Sequence, residues 1–506
     1  MSSSGLSRRA LIAGAGAAVV GWNTAARAWA AEPGENVDQL PALDGTVALR
    51  GAEVERFSSD FGHLVTASPR AVLRPASVRD VQKVVAFARR HRIPVAVNGQ
   101  SGDQAVVGDG GLESHSSYGQ ANPRGGIAID ARGLSRIVSV EPGLAVVEAG
   151  ATWAQLTDAA LAAGWMPPCL TDYLHLSVGG TLSVGGIGGA VQRHGLQADT
   201  VRSLDVVTGT GELVTASREH NRELFEAVLA GGGQVGIIVR ATLALVPARE
   251  RATVFTLAYD DADLYRADQE KVLAQGRFDL QVGNVVRSAD GQRWRYTAEL
   301  VAYGDAGRAV DREALLAGLH GVPGETTVVE QSWREYAFRV DAFAGYLRAA
   351  GFWGLAKPWL SLFLPASTVG VFMREATALL TAADLGAGLL LFYPYARARV
   401  GAPLAVLPQE PVGWHFDLLA FPAPGADTAA MLERNRRLYD RAVALGGKRY
   451  LIGAVPGMTG ADWRRHYGGL WERVAGGSGG SGGATVSGGA ADHRVARRGG
   501  RGRAGP

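Results

Sequence analysis

Cysteine is all but missing from this chain, Cys169 being the only one in 506 residues. A lone thiol excludes an intramolecular disulfide in any compartment, and it excludes structural zinc sites or metal clusters built on cysteines. Long apolar runs are scarce too. The run at 11–22 falls short of the roughly 20 residues needed to cross a hydrocarbon layer of about 30 Å, and no later segment supplies such a stretch. No membrane anchor is expected. Charge of one sign is also lacking, with a formal net charge of +3. Arg8, Arg9 and Arg27 sit near the N-terminus and five arginines face one aspartate beyond Gly476, so the body between them carries about −4. That is no electrostatic footprint for nucleic acid.

What is present suits a soluble globular protein, with 47% hydrophobic and 20% charged residues. A chain this long exceeds one ordinary core and should divide into two or more domains. Ser7-Arg8-Arg9-Ala10-Leu11-Ile12, the apolar run and then Ala28-Trp29-Ala30 have the order of a twin-arginine export signal over 1–31. The expected location is therefore secreted or periplasmic; a basic N-terminus that stays in the cytoplasm is the alternative. At the other end, 476–506 is Gly, Ser, Ala and Arg with almost nothing large and apolar, so disorder is expected.

Between these ends the periodicity changes repeatedly. Ser77-Val78-Arg79-Asp80 opens a helix whose Val78, Val81, Val84, Val85 and Ala88 share one face. Segments 94–97, 127–130, 137–140 and 145–149 are strand candidates, and Thr152 caps a helix reaching Ala163. Segments 201–208 and 213–216 read as a hairpin across Gly209-Thr210-Gly211, Asn221 as the cap of a helix through Ala230, and 237–246 as a returning strand. Helices and strands mixed in this order give an α+β domain. After Pro247 the glycine punctuation thins and aromatic runs such as Trp359-Leu360-Ser361-Leu362-Phe363-Leu364-Pro365 take over, which places a domain boundary near 248. Such runs are more often plain core than ligand wall.

Three segments carry chemistry. His115-Ser116-Ser117-Tyr118-Gly119-Gln120-Ala121 offers an imidazole followed by small hydroxylated residues. Thr171-Asp172-Tyr173-Leu174 offers a carboxylate within an aromatic context, and a carboxylate can take the proton of an N–H or O–H whose carbon loses hydride. An Asp that merely caps a turn, and a lone surface His, are the bland alternatives. Gly179-Gly180-Thr181-Leu182-Ser183-Val184-Gly185-Gly186-Ile187-Gly188-Gly189 reads as a loop whose backbone N–H groups can approach phosphates, with Ser177 and Ser183 adding hydroxyls. By itself that run is weak evidence, since it lacks the strand, helix and acidic residue of a Rossmann fingerprint.

Taken together and in this order, the segments resemble the cytokinin dehydrogenase group of the FAD-linked oxidases, of the vanillyl-alcohol oxidase type, over about Arg74 to Trp471. The resemblance implies a two-domain α+β fold, with a PCMH-type FAD-binding domain at 65–248 and a substrate domain of antiparallel sheet covered by helices at 249–445. The chain would return to the FAD domain at 446–475, where Tyr450-Leu451 and Asp462-Trp463-Arg464-Arg465-His466-Tyr467-Gly468 lie. FAD would be linked covalently through His115, and singly, because Cys169 does not fall where doubly tethered relatives place their cysteine. Gly99, Ser116, Gln120, Ala121, Asp172, Ser177, Gly179, Gly180, Ser183, Ile187, Ile237 and Tyr450 would contact it, Ile237 through its backbone. The implied reaction is hydride transfer from a secondary amine, such as an N6-alkenyl adenine, to flavin N5. Asp172 would be the proton acceptor, helped if an aromatic, largely dry pocket raises its proton affinity, and oxygen or a quinone the electron acceptor. His175 and His194 receive no role.

Several departures accompany the resemblance. The family's Gly-Arg-Gly before its His-Ser is replaced by Glu113-Ser114, with Asn98-Gly99-Gln100 as the counterpart upstream of an insertion at 101–114. The family's adenine-binding Glu stands here as Val282 within Asp279-Leu280-Gln281-Val282-Gly283, while Lys357-Pro358-Trp359-Leu360 matches the Pro-Trp-Leu signature. The closing Tyr-Asp-Pro and Ser-Pro-Gly-Gln segments are absent, for which a frameshifted or truncated gene end is expected and a genuine flexible tail is the alternative. Two other functions stay open: oxidation of an alcohol or sugar, and an inactive flavin- or ligand-binding protein.

Overall fold

The structure, a computed structural model, describes residues 40–99, 115–288, 290–307 and 309–479, the last four by backbone alone, plus the backbone of a pairing between Gly21–Asn23 and Ala28–Ala30. That pairing apart, the export signal expected at 1–31, Gln100, the insertion at 101–114 and the tail beyond 479 lie outside the described residues. Disorder from 476 is corrected at its start. The helix Trp471–Gly479 runs four residues further, because Val474 buries itself beside Tyr467 and anchors the turn from which those residues propagate.

The first part of the chain builds two larger sheets, beside a small pairing of Trp165–Met166 with Val246–Pro247. Ala71–Arg74, Ile127–Asp130 and Val95–Asn98 are parallel neighbours, with Thr46–Ala48 antiparallel at the edge. The helix Val78–Arg90 crosses from one strand to the next and packs Val81, Val84, Val85 and Ala88 on Leu73, Val95, Ile127 and Ile129, the i, i+3, i+4, i+7 stripe that its sequence spells. Asp80 fastens its start: fully buried, it accepts the N–H groups of Asp44 at 2.7 Å and of Gly45 and Ala76 at 2.9 Å. The second sheet is antiparallel, in the order Leu213–Ser217, Val201–Thr208, Gly236–Ala244, Leu144–Glu148, Ile137–Glu141. Its hairpin pairs Val207 with Leu213. Asn221 is a correction. It sits at the N-terminus of the helix Arg222–Val228 with φ +49°, and its side-chain amide donates back to the Thr215 carbonyl at 2.8 Å, so it closes the preceding turn instead of capping.

From Arg251 onward the chain builds one eight-stranded antiparallel sheet, in the order Thr327–Ser332, Arg251–Tyr259, Trp294–Gly304, Leu280–Arg287, Leu389–Ala396, Val412–Leu419, Leu360–Pro365, Lys448–Arg449. Side chains alternate between its faces, as period two requires. Trp414, Phe416 and Leu418 point into a core shared with the helices Ala262–Gln275, Ala366–Leu379 and Thr428–Ala444. His415, Asp417 and Leu419 point the other way, into a cavity shared with the first part of the chain. The final helices fold back: the helix Gly460–Tyr467 and its successor pack on Ala227, and Arg473 pairs with Glu226 at 3.1 Å. The fold is the two-domain α+β arrangement that the resemblance implies, with an antiparallel sheet covered on one face by helices. No helix of the described residues is long and apolar enough to cross a membrane.

Candidate active site

A cavity of about 460 Å³ lies where the two parts meet. All the residues singled out for cofactor and catalysis line it: Gly99, His115, Ser116, Gln120, Ala121, Asp172, Ser177, Gly179, Gly180, Ser183, Ile187, Ile237 and Tyr450. They come from segments some 350 residues apart in sequence, from Gly99 to Tyr450.

His115 stands in an aromatic corner. Its ring stacks on Phe61 at 4.0 Å, with Tyr173 at 5.5 Å and Trp359 at 5.8 Å. Part of its surface shows to the cavity, and the rest of the ring is enclosed by these side chains. That enclosure, then the positive charges of Lys357 and Arg348, pushes its pKa from 6.5 down to about 3. The imidazole is therefore neutral, and its Nδ1 is buried without a hydrogen-bond partner among the described residues. Lys357 lies behind Phe61, its ammonium 4.2 Å from the ring centre, and donates to the carbonyls of Phe61, Leu355 and Trp353.

The rest of the His-Ser segment is scaffolding. Ser116 Oγ donates to Asp60 at 2.7 Å, and the Gly119 N–H donates to the same carboxylate oxygen at 2.6 Å. Gln120 Oε1 accepts from the Ser117 and Tyr118 amides at 3.1 and 2.7 Å, curling the segment into a turn. Its amide reaches the Gly453 carbonyl at 3.4 Å and so ties the turn to the Tyr450 segment.

The glycine run is not a loop throughout, which corrects that expectation. Val178–Val184 is a short helix capped by Ser177, whose Oγ accepts the Gly180 N–H at 3.3 Å. The Gly179 N–H goes to the Ala149 carbonyl at 2.8 Å, and Ser183 Oγ donates back to the Gly179 carbonyl at 2.7 Å. These groups are engaged because the segment must dock on the Leu144–Glu148 strand. Glycine serves close approach instead. A Cβ on Gly99 would come within 1.9 Å of Ser177 Oγ, and Gly186, at φ +70°, donates its N–H to the Tyr450 hydroxyl at 3.2 Å. This wall of small residues, facing a neutral histidine with a bare nitrogen, fits FAD.

Asp172 does not stand alone against aromatic walls. Arg339 Nη2 donates to its Oδ1 at 2.6 Å, and the same guanidinium lies 3.5 Å from Glu299, which also accepts the Tyr336 hydroxyl at 2.7 Å. Burial opposes the charge on Arg339, but Tyr336, Asp172 and Glu299 outweigh it and hold the pKa above its ordinary value. The result is a fixed array, carboxylate–guanidinium–carboxylate, along the cavity. Tyr393 adds a hydroxyl kept protonated by burial, by Asp172 and by Asp417. Arg339, Glu299, Tyr393, His415 and Asp417 carry no motif. Alternation along the strands was the available signal for the last four, but only once it is known which face looks inward. His175 pairs with Asp341 at 3.1 Å, and His194 lies outside the cavity lining.

Comparison with known proteins places names beside this geometry. The profile of an FAD binding domain matches residues 69–217, and that of "Cytokinin dehydrogenase 1, FAD and cytokinin binding" matches residues 287–477. An uncharacterized oxidoreductase of the fasciation locus of Rhodococcoides fascians is 35% identical over 82% of this chain and 92% of its own length. Cytokinin dehydrogenase 1 of Oryza sativa subsp. japonica is 34% identical over 82% of this chain and 85% of its own. For cytokinin dehydrogenase 2 of Arabidopsis thaliana the identity is 30%, over 87% and 91%.

Proposed function

Because the chain belongs to the cytokinin dehydrogenase-like FAD-dependent oxidoreductases, we propose that it oxidises the secondary amine of an N6-alkenyl adenine, with Asp172 as the proton acceptor. FAD supplies the acceptor for the hydride leaving the carbon next to that nitrogen. Asp172 takes the N–H proton, the carbon–nitrogen bond becomes an imine, and water splits the imine into adenine and an aldehyde.

The observation that carries this reading is the fixed carboxylate on the cavity. Arg339 aims Asp172 Oδ1 and leaves its second oxygen for the substrate. A carboxylate held in one orientation needs little rearrangement to accept a proton. Glu299 is the register partner of Val282 across the neighbouring strand and lines the same wall. It therefore offers a carboxylate beside the position where the resemblance puts one. Covalent attachment of FAD at His115 is supported by the neutral ring and its unengaged nitrogen. Export by the twin-arginine route rests on Arg8-Arg9 and the apolar run after them, and fractionation of cells with and without Arg8→Lys and Arg9→Lys tests it.

The decisive experiment is anaerobic mixing of the purified flavoprotein with N6-isopentenyladenine. The yellow absorbance should bleach, with adenine and the aldehyde as products after reoxidation. A lactone or ketone formed from a sugar or alcohol, with no response to the amine, would replace this reading by hydroxyl oxidation. No bleaching by any donor class would leave a binding protein.

A further inference from the structure

The strand Val412–Leu419 carries two ionisable residues on its cavity face, His415 and Asp417, where the neighbouring positions Leu389, Leu391 and Leu419 are apolar. Both are almost entirely buried, with 1% and 5% of their surface exposed. His415 Nε2 and Asp417 Oδ2 are 2.9 Å apart. A carboxylate can only accept, so the shared hydrogen belongs to Nε2. Each residue thus has one atom left over. His415 Nδ1 and Asp417 Oδ1 have no partner among the described residues. The surroundings do not fill them: Phe363, Tyr393 and Tyr450 pack their rings at 5.1 to 5.8 Å from the imidazole. Ser361, opposite Asp417 on the next strand, has an unpartnered hydroxyl of its own. A carboxylate oxygen buried with no hydrogen bond made to it is costly to keep unless something supplies a donor.

We propose that Asp417, held by His415, forms a donor-reading subsite in the cavity, its unengaged Oδ1 taking a ring N–H of the bound heterocycle. This rests on the amine-oxidation reading for the identity of that heterocycle. The pair belongs to the wall opposite the glycine-bearing segments, the same sheet face as Val282 and Glu299. It lines the same cavity as the proton acceptor Asp172. A heterocycle seated there would present its ring N–H to Asp417 and its exocyclic amine to Asp172. The subsite selects by hydrogen-bond donor, so a substrate alkylated at that ring nitrogen is refused even where it fits by shape.

The test measures binding of adenine and of 9-methyladenine to the purified holoenzyme by calorimetry, in the wild type and in Asp417→Asn, which turns an acceptor into a donor. Wild type should prefer adenine by about ten- to a hundredfold, the usual span for a hydrogen bond to a charged group. Asp417→Asn should lose that preference by weakening adenine alone. An equal affinity of wild type for the two purines, binding of neither, or an unchanged ratio in the variant would each overturn the subsite. So would a variant that moves the flavin reduction potential and leaves the purine ratio alone, because the pair would then serve the cofactor. Should Asp417→Asn not fold, His415→Gln and the wild-type comparison still decide. Adenine has no oxidisable C–H next to its amino group, so its binding is read independently of the bleaching that tests the reaction.

Discussion

One wall of the cavity, around Gly99, Gly179, Gly180 and Gly186, meets the ligand space with small residues whose polar groups are mostly spent on one another. The facing wall, the sheet that carries Glu299, Tyr393, His415 and Asp417, meets it with long polar side chains, ion-paired at Glu299 and elsewhere with polar atoms left unengaged. The first wall is built to let a large cofactor come close, the second to discriminate. A cofactor that does not vary can be held by backbone shape, while a substrate must be told from its neighbours by side-chain chemistry. The difference is open to perturbation from either side.

The largest effects should come from residues that touch the reacting groups, and they should separate the walls cleanly. Asp172→Asn should slow flavin reduction by about 10²- to 10⁴-fold, the usual worth of a positioned proton acceptor, with flavin content intact. Stopped-flow bleaching reads the rate and the native absorbance reads the content. His115→Ala should do the converse for attachment: flavin fluorescence in a denaturing gel, present for the wild type, should vanish from the band. Equal rates for Asp172→Asn and wild type, or a fluorescent His115→Ala band, would assign those roles elsewhere.

Next in size is Arg339→Met, which frees Asp172 from its 2.6 Å contact and leaves Glu299 without its cation. A lost charge-assisted hydrogen bond predicts a fall of about ten- to a hundredfold in the reduction rate. Because Arg339 positions Asp172, the loss should appear in kcat more than in KM; a change in KM alone would make Arg339 a substrate anchor. On the cofactor wall the matching change is Gly99→Ala. Its new methyl meets Ser177 Oγ at 1.9 Å, so the two segments must part. A cost of about 1–3 kcal/mol is usual for such overpacking. Calorimetric melting should show it, and Ser177→Gly in the same chain should restore most of it.

These two walls also differ in how far they can be read in advance. Helix Val78–Arg90 and the 201–217 hairpin were legible because each declares itself locally, through periodicity or a short run, whereas the His115, Asp172 and Gly179 segments stand out through the family resemblance and the fold brings them to one cavity. Asn221 and the helix at Val178–Val184 misled because local chemistry competes with docking: Asn221 found the Thr215 carbonyl, and the glycine run found Ala149 and coiled. The chemistry of the sheet wall was invisible for another reason. His415 faces Tyr393 only through strand pairing, and Glu299 reaches Arg339, at the start of the helix Val340–Ala349, only because its strand turns it to the cavity; a one-residue slip in register would turn His415 and Glu299 to the opposite face. Val282 illustrates the limit. Read along its own strand it is a missing carboxylate, whereas read across the sheet it has one beside it.

The smallest effect concerns the segment that returns beneath the cofactor wall. His466, on the helix Gly460–Tyr467, is buried against Trp463 and Tyr467, and burial, then Arg449 and Lys448, lowers its pKa from 6.5 to about 3. Between those values the unfolded chain binds a proton that the folded chain refuses, so stability is full above pH 6.5 and falls as the pH drops toward 3. The slope is on the order of 1 kcal/mol per pH unit for one such group. His115 shares the same sign, since a ring that carries flavin on one nitrogen still takes a proton on the other. His466→Leu should therefore flatten the acid side of the stability profile in the holoprotein. Melting temperatures at pH 7.5 and pH 5 read the contrast, and equal losses in wild type and His466→Leu would show that the returning helix takes up its proton without unfolding.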